Sequence, residues 1–415
     1  MTKESKRTHD LRPYRCDCPS CGSKNTKIFH TVENVPVNSV LNIRGRQEAL
    51  DFPRGDIALR FCRGCGFIYN SLFEAEKVVY STDCEESQGY SPTFNEFARD
   101  LAVGLVEKYG LRRKRIIEIG CGKGEFLKLL CKLGDNFGIG FDPAFVHGRG
   151  NKDEKETNVE FVKDYYSEKY ADCHGHLICC RMTLEHIPET ARLVQTVRRS
   201  IGERNDTTVF FQVPDTTRIM RNCAFEDIYY EHCSYFSPGS MARLFRKAQF
   251  DILDIRVVYG EQYVLIEAKP VVEKPYVLQD LEKDQDLLES LVERFHEIYP
   301  LVVAYWADLL ESYRKTNRRV VIWGSGSKGV AYLTTLRKSA QIEYVVDINP
   351  YRQGTYMAGS GQEIVAPDFL RSYRPDAVII MNPVYRQEIV SDLKRMRLSP
   401  DVHVLGEQVD ELFGR

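Results

Sequence analysis

No run of this 415-residue chain approaches the ~18 consecutive apolar residues of a membrane-crossing helix. Its start, Met1-Thr-Lys-Glu-Ser-Lys-Arg-Thr-His-Asp10, lacks the apolar centre of a secretion signal, so a soluble, cytoplasmic protein is expected. An excess of either charge is also missing. With 57 Lys and Arg against 59 Asp and Glu, the net charge of −2 leaves no basic footprint for nucleic acid or an anionic membrane. The length exceeds one ordinary core and implies two or three domains. It also takes the 13 cysteines out of the disulfide-scaffold class, which belongs to short secreted chains.

Five cysteines crowd the first 65 residues, as Cys16-Asp-Cys18-Pro-Ser-Cys21 and Cys62-Arg-Gly-Cys65. Two C-x-x-C knuckles each fold a pair of thiolates toward one point, the pattern of a tetrahedral zinc site. Cys18, Cys21, Cys62 and Cys65 are the expected ligands, since Cys16 stands too far from Cys21 for a knuckle. Four sulfurs leave no open position, so such a metal is structural. Val35–Val40 and Leu59–Phe61 are expected strands of a small β-rich domain over residues 1–78.

At Arg115-Ile-Ile-Glu-Ile-Gly-Cys-Gly-Lys-Gly124 a β-branched run gives way to glycines and then to Phe126, Leu127, Leu129 and Leu130 at helical spacing. Strand, bare turn and helix are expected, with Gly120, Gly122 and Gly124 letting a ligand approach backbone N–H groups at a helix N-terminus. The spacing is G-x-G-x-G, one residue short of the dinucleotide pattern. Glu118 precedes the turn, Asp142 closes the next apparent strand where a ribose-binding acid belongs, and Asp164 follows later. These residues resemble the class I S-adenosylmethionine-dependent methyltransferases. The resemblance implies a donor held by Glu118, Gly120, Gly122, Gly124, Asp142 and Asp164.

Ser91 and Pro92 open a helical pattern that leads into this turn. After it, apolar runs at 159–162, 177–180 and 208–213 alternate with helices expected at 190–201 and 240–248, giving a doubly wound α/β sheet. The runs at 253–257 and 263–266 have no helix between them and predict an antiparallel hairpin. A linker is expected at 270–275, ending a domain over 79–270. A long helix follows from Leu278 to Leu310, to be broken or kinked at Pro300. The last unit, 275–415, repeats the strand, turn and helix at Val320–Gly329. Gly324, Gly326 and Gly329 fit G-x-G-x-x-G with Asp347 about twenty residues on, a better dinucleotide pattern than the first turn. Lys328 also suits a lone phosphate or a diphosphate.

Two histidine segments fall at the ends of strands, Leu184-Glu-His186-Ile-Pro188 and Tyr230-Glu231-His232-Cys-Ser-Tyr-Phe236. An imidazole titrates near operating pH and is suited to taking a proton from a carbon beside a carbonyl. Glu231 either holds the tautomer of that imidazole or bonds a substrate hydroxyl, and adjacent residues reach one pocket only where the chain turns.

Together, the cysteine knuckles, the glycine turn, the two histidine segments and the Gly-Ser-Gly-Ser-Lys-Gly turn resemble the nucleotide-sugar C-methyltransferases across essentially the whole chain. The resemblance implies zinc-binding, class I methyltransferase and Rossmann-like domains in that order. It implies a nucleotide-linked keto-sugar substrate methylated beside its ketone, with His232 as base and Glu231 and His186 positioning the sugar or its oxyanion. It also implies a substrate-binding tyrosine, either Tyr80 or Tyr90. An O- or N-methyltransferase and a nicotinamide-dependent sugar oxidoreductase using the Gly324 turn are the alternatives.

Overall fold

The computed structural model describes residues 15–146, 158–271, 277–336 and 342–407. The linker expected at 270–275 lies outside the described residues from 272 onward. Three sheets follow one another along the chain.

The first is antiparallel and joins Thr26–Pro36, Arg54–Cys62 and Ile68–Asn70 to the short strand Ser234–Tyr235. That fourth strand comes from 165 residues beyond the third and carries the His232 segment with it, because Tyr235 pairs with Ile68 and Ser234 with Tyr69. The N-terminal sheet thus fixes one edge of the site in the second unit.

The second sheet has the order 250–258, 263–270, 208–214, 177–181, 115–119, 137–141, 159–162. Its five strands from 115 to 214 run parallel, and 263–270 returns antiparallel against 208–214 and 250–258, as the missing helix predicts. Helices Pro92–Lys108, Glu125–Gly134, Thr190–Ile201 and Pro238–Lys247 cover its faces. Ser91 caps the first of these by accepting from Phe94 N, with Pro92 beside it where a missing N–H costs nothing. The order reverses between Arg115–Ile119 and Leu177–Arg181, so a crevice opens at the carboxyl ends of those strands.

The third sheet is wholly parallel, ordered 363–365, 344–346, 320–323, 377–380, 401–404. The helix Gln285–Lys315 leads to it and runs unbroken through Pro300, where the sequence predicts a break or a kink. A proline costs a helix interior about 3 kcal/mol, whereas each large apolar side chain returns roughly 1.5–3 kcal/mol on burial. Ile298, Val302, Trp306 and Leu310 are buried on both sides of Pro300, so packing outweighs the missing hydrogen bond. The helix starts later than its apolar pattern suggests, since Leu278 and Leu281 are exposed and precede Gln285.

Candidate active site

The crevice of the second sheet is closed by the other two units into one cavity of about 800 Å³. Its first wall is the Gly120 turn. Gly120, Gly122 and Gly124 have φ of 68°, 54° and 77°, a region that side chains rarely adopt. A Cβ on Gly120 would also stand 2.1 Å from Thr183 Oγ1, and one on Gly124 would stand 2.3 Å from the Phe161 ring. Gly120 and Gly122 line the cavity, while Gly124 serves the turn and the start of the helix.

Asp142 ties the next strand to this turn, its carboxylate accepting from Gly122 N at 2.9 Å and Ala144 N at 2.8 Å. Burial raises its pKa, and those two N–H groups work in the opposite direction. Glu118 lies under the turn with one carboxyl oxygen unpartnered, and burial pushes it up to about 8 although Arg181 opposes the shift. Asp164 faces the same cavity from its exposed side, held low by Tyr170, Lys169 and the Tyr165 N–H.

The second wall carries the histidines. The chain turns at Tyr230–Glu231 and His232 N donates to Tyr229 O at 3.2 Å, so Glu231 and His232 both reach the cavity despite being adjacent. Glu231 does not hold the His232 ring. Its carboxylate accepts from Asn38 Nδ2 at 3.2 Å, Ser39 N at 2.9 Å and the Ser39 hydroxyl, all from the N-terminal unit. The partner of His232 Nε2 is instead the Tyr229 hydroxyl at 2.8 Å, a residue that sequence reasoning passed over. Three residues separate them, a spacing that carried the signal had the turn been foreseen.

His232 is buried, and loss of solvent, with His186 and Lys328 nearby, pulls its pKa well below the usual range. It is therefore a neutral imidazole, with hydrogen on one ring nitrogen and the other able to take a proton. The His186 ring stands edge-on to it at 4.8 Å between centroids. Tyr80 approaches His186 edge-on at 6.3 Å, whereas Tyr90 sits at the rim beside Tyr351. Both tyrosines line the cavity.

The third wall is the Gly324 turn. Ser39 Oγ lies 2.7 Å from Ser327 Oγ, so Glu231, Ser39 and Ser327 form one chain of contacts through all three units. Lys328 faces the cavity with its ammonium paired to Asp227, whose other oxygen accepts from Arg218 at 2.8 Å. The Asp227 carboxylate, buried between two cations, is held below its ordinary pKa even though burial alone would raise it.

Away from the cavity, Cys18, Cys21, Cys62 and Cys65 converge, with Sγ–Sγ separations of 3.7 Å for Cys18–Cys65 and 3.6 Å for Cys21–Cys62. Sulfurs placed tetrahedrally at about 2.3 Å from zinc stand about 3.75 Å apart, so the set has the size of a zinc site. Cys16 is exposed and outside it.

Two family models cover most of the chain. Residues 94–255 match "Methyltransferase domain" and residues 268–400 match "C-methyltransferase C-terminal domain". The chain belongs to the S-adenosylmethionine-dependent C-methyltransferases. Among curated proteins it is similar to the C-methyltransferase NovU of Streptomyces niveus, 27% identical over 309 residues, which span 71% of this chain and 73% of NovU.

Among solved structures it is similar to a Burkholderia thailandensis 1,6-didemethyltoxoflavin-N1-methyltransferase, at 16% identity and TM-score 0.34 over 43% of this chain and 80% of that one. It is also similar to the magnesium protoporphyrin IX methyltransferase of Synechocystis PCC 6803, at 12% identity and TM-score 0.35 over 43% of this chain and 84% of that one. By its two family models this C-methyltransferase is an enzyme that draws its methyl group from S-adenosylmethionine. No helix among its described residues is long and apolar enough to cross a membrane.

Proposed function

We propose that the enzyme methylates the carbon next to the ketone of a nucleotide-linked keto-sugar. The observation that carries this reading is the single cavity, whose walls present the Gly120 turn, the His232 pair and the Gly324 turn to one another. A donor, a proton acceptor and an anion-binding turn are thereby within reach of one bound molecule.

The donor supplies an electrophilic methyl group. Glu118, Gly120, Gly122 and Asp142 would hold it, the turn by its bare backbone and the acids by their cavity-facing carboxyls, with Asp164 at the rim and Gly124 shaping the turn. His232 would take the proton from the carbon made acidic by the adjacent ketone, its ring aimed by Tyr229. The low dielectric that keeps this imidazole neutral also keeps it unprotonated until substrate arrives. Burial holds the Tyr229 phenol protonated, well above its ordinary pKa, and its oxygen would accept from His232 Nε2–H, so that the other ring nitrogen keeps the lone pair that takes the proton.

His186 and Tyr80 would border the sugar, with Tyr90 at the entrance. Glu231, already carrying its own donors, would shape the pocket rather than exchange protons. The diphosphate would meet the N-terminus of helix Ser327–Thr335, which no side chain caps, beside Lys328. The four cysteines would hold a structural zinc that fixes the N-terminal sheet and, through Ser234–Tyr235, the His232 segment.

The test is hydrogen exchange followed by product analysis. With a nucleotide-linked keto-sugar in heavy water and no methyl donor, deuterium should enter at the carbon beside the ketone, and His232→Ala should stop it. Adding S-adenosylmethionine should place the methyl on that carbon by mass spectrometry and NMR. Methylation without prior exchange would move the acceptor to oxygen or nitrogen and end this reading.

A further inference from the structure

One side chain on the second wall has no place in the scheme above. Glu185 is buried, no other residue donates to its two carboxyl oxygens, and no cation pairs with it among the described residues. Beside it, His186 Nδ1 is buried and unpartnered as well. Among the described residues nothing beyond the Glu185 backbone N–H meets this group of lone pairs, and each one left unmet in the working enzyme would cost of order 1–3 kcal/mol.

The surroundings favour one kind of occupant. One donor atom each from Glu185, His186 and His232 lies within 4.8 Å of the others. The far nitrogen of each ring is already tied, His186 to the Glu231 backbone carbonyl and His232 Nε2 to the Tyr229 hydroxyl. An imidazole whose second nitrogen is so held, next to a carboxyl without donors, is the arrangement that metal sites use to orient their ligands. Nitrogen and oxygen at about 2.1 Å from a zinc-class cation stand about 3.4 Å apart, so atoms already within 4.8 Å of one another need a closure of at most about 1.4 Å, within reach of a carboxyl rotation.

We infer that Glu185, His186 and His232 form a second metal site, for a divalent cation of the zinc or cobalt class, distinct from the cysteine cluster. Two imidazoles and one carboxylate leave open positions toward the cavity. A cation bound there takes the His232 lone pair that proton abstraction needs, so occupancy and catalysis compete for one nitrogen. The site goes beyond the proposed reaction and stands or falls on metal binding alone.

The test uses the full chain with zinc in its cysteine site. Equilibration with cobalt(II) should add a second equivalent whose visible bands carry no sulfur-to-cobalt charge transfer. Glu185→Gln should weaken that equivalent about a hundredfold or more, the upper end of what loss of even an outer partner costs, and leave the sulfur-bound metal in place. His186→Gln should do the same, so a misfolded Glu185→Gln does not decide the matter. A wild-type chain that takes up only the sulfur-bound metal overturns the site. So does a second equivalent that survives both substitutions. A second equivalent that also silences deuterium exchange in the wild type, at the concentration at which it binds, establishes the competition.

Discussion

The turn at Gly120–Gly124 and the turn at Gly324–Gly329 each follow a buried strand, open a helix and give a backbone N–H to an aspartate at the end of the next strand. Gly122 donates to Asp142 and Ser325 to Asp347, both at 2.9 Å. Beyond that shared plan they diverge. All three glycines of the first turn have positive φ, while in the second only Gly324 does, at 118°. Gly329 is there for packing, since a Cβ on it would stand 2.5 Å from the Gly324 carbonyl oxygen.

Charge separates them further. Glu118 and Asp142 lie at the first turn, whereas Lys328 and the buried Arg352 lie at the second, with Arg352 donating to Ser325 O at 2.7 Å. On the proposed reading the first of these two copies would meet a ligand that carries positive charge and the second an anion, although Lys123 stands in the first turn and Asp347 at the second. S-adenosylmethionine and a diphosphate differ in just that respect.

The sharpest way to break the comparison is to substitute the first turn. Gly120→Ala must place a side chain in left-handed backbone and into Thr183, so affinity for S-adenosylmethionine should fall about 100-fold or more by calorimetry. Gly326→Ala, where nothing lies within 4 Å, should leave that affinity unchanged. An equal loss in both would mean that the turns share one ligand. Next in size, Asp142→Ala should cost about 30-fold in donor affinity, the scale of a hydrogen bond to a charged group. Asp347→Ala should leave donor affinity alone and show itself in nucleotide-sugar binding.

Much of this contrast is legible in the sequence because it is local. Strand, turn and helix lie within twenty residues, the C-x-x-C pairs announce themselves by spacing, and the absent helix before residue 263 foretells the hairpin. What escaped is non-local. Nothing near Glu231 in the chain reveals that Asn38 and Ser39, more than 190 residues away, satisfy its carboxylate. The pairing of Ser234–Tyr235 with the N-terminal sheet is hidden for the same reason. Lys328 reads as free to await phosphate until Asp227, 101 residues earlier, is folded against it. The apolar stripe through Pro300 shows that burial can override a local breaker, and the three-residue strand Glu363–Val365 is too short to announce itself.

A smaller effect sharpens the anionic side. Lys328→Met leaves Asp227 with Arg218 alone and removes a cation from the cavity wall. The KM for the nucleotide-linked substrate should rise about tenfold, the worth of one charge-assisted bond, with kcat and donor affinity little changed. A fall in kcat with KM unmoved would instead assign Lys328 to the reacting centre.

The smallest effect is a pH dependence that should exist at the first turn through Glu118. Its carboxyl is pushed up to about 8 by burial, so below that pH the free enzyme carries it protonated. A positively charged donor binds the ionised form better, and binding then expels the proton. Affinity should therefore improve as pH rises from 6 toward 8, by at most about tenfold per unit, and level off above. An ordinary surface carboxylate is ionised throughout this range and would give no such slope. Calorimetry in two buffers of different ionisation enthalpy should register the released proton, and Glu118→Gln should flatten the profile. A wild-type affinity constant across pH 6 to 8 would show that Glu118 stays protonated with the donor bound, and that the positive charge of the ligand is met by Asp142.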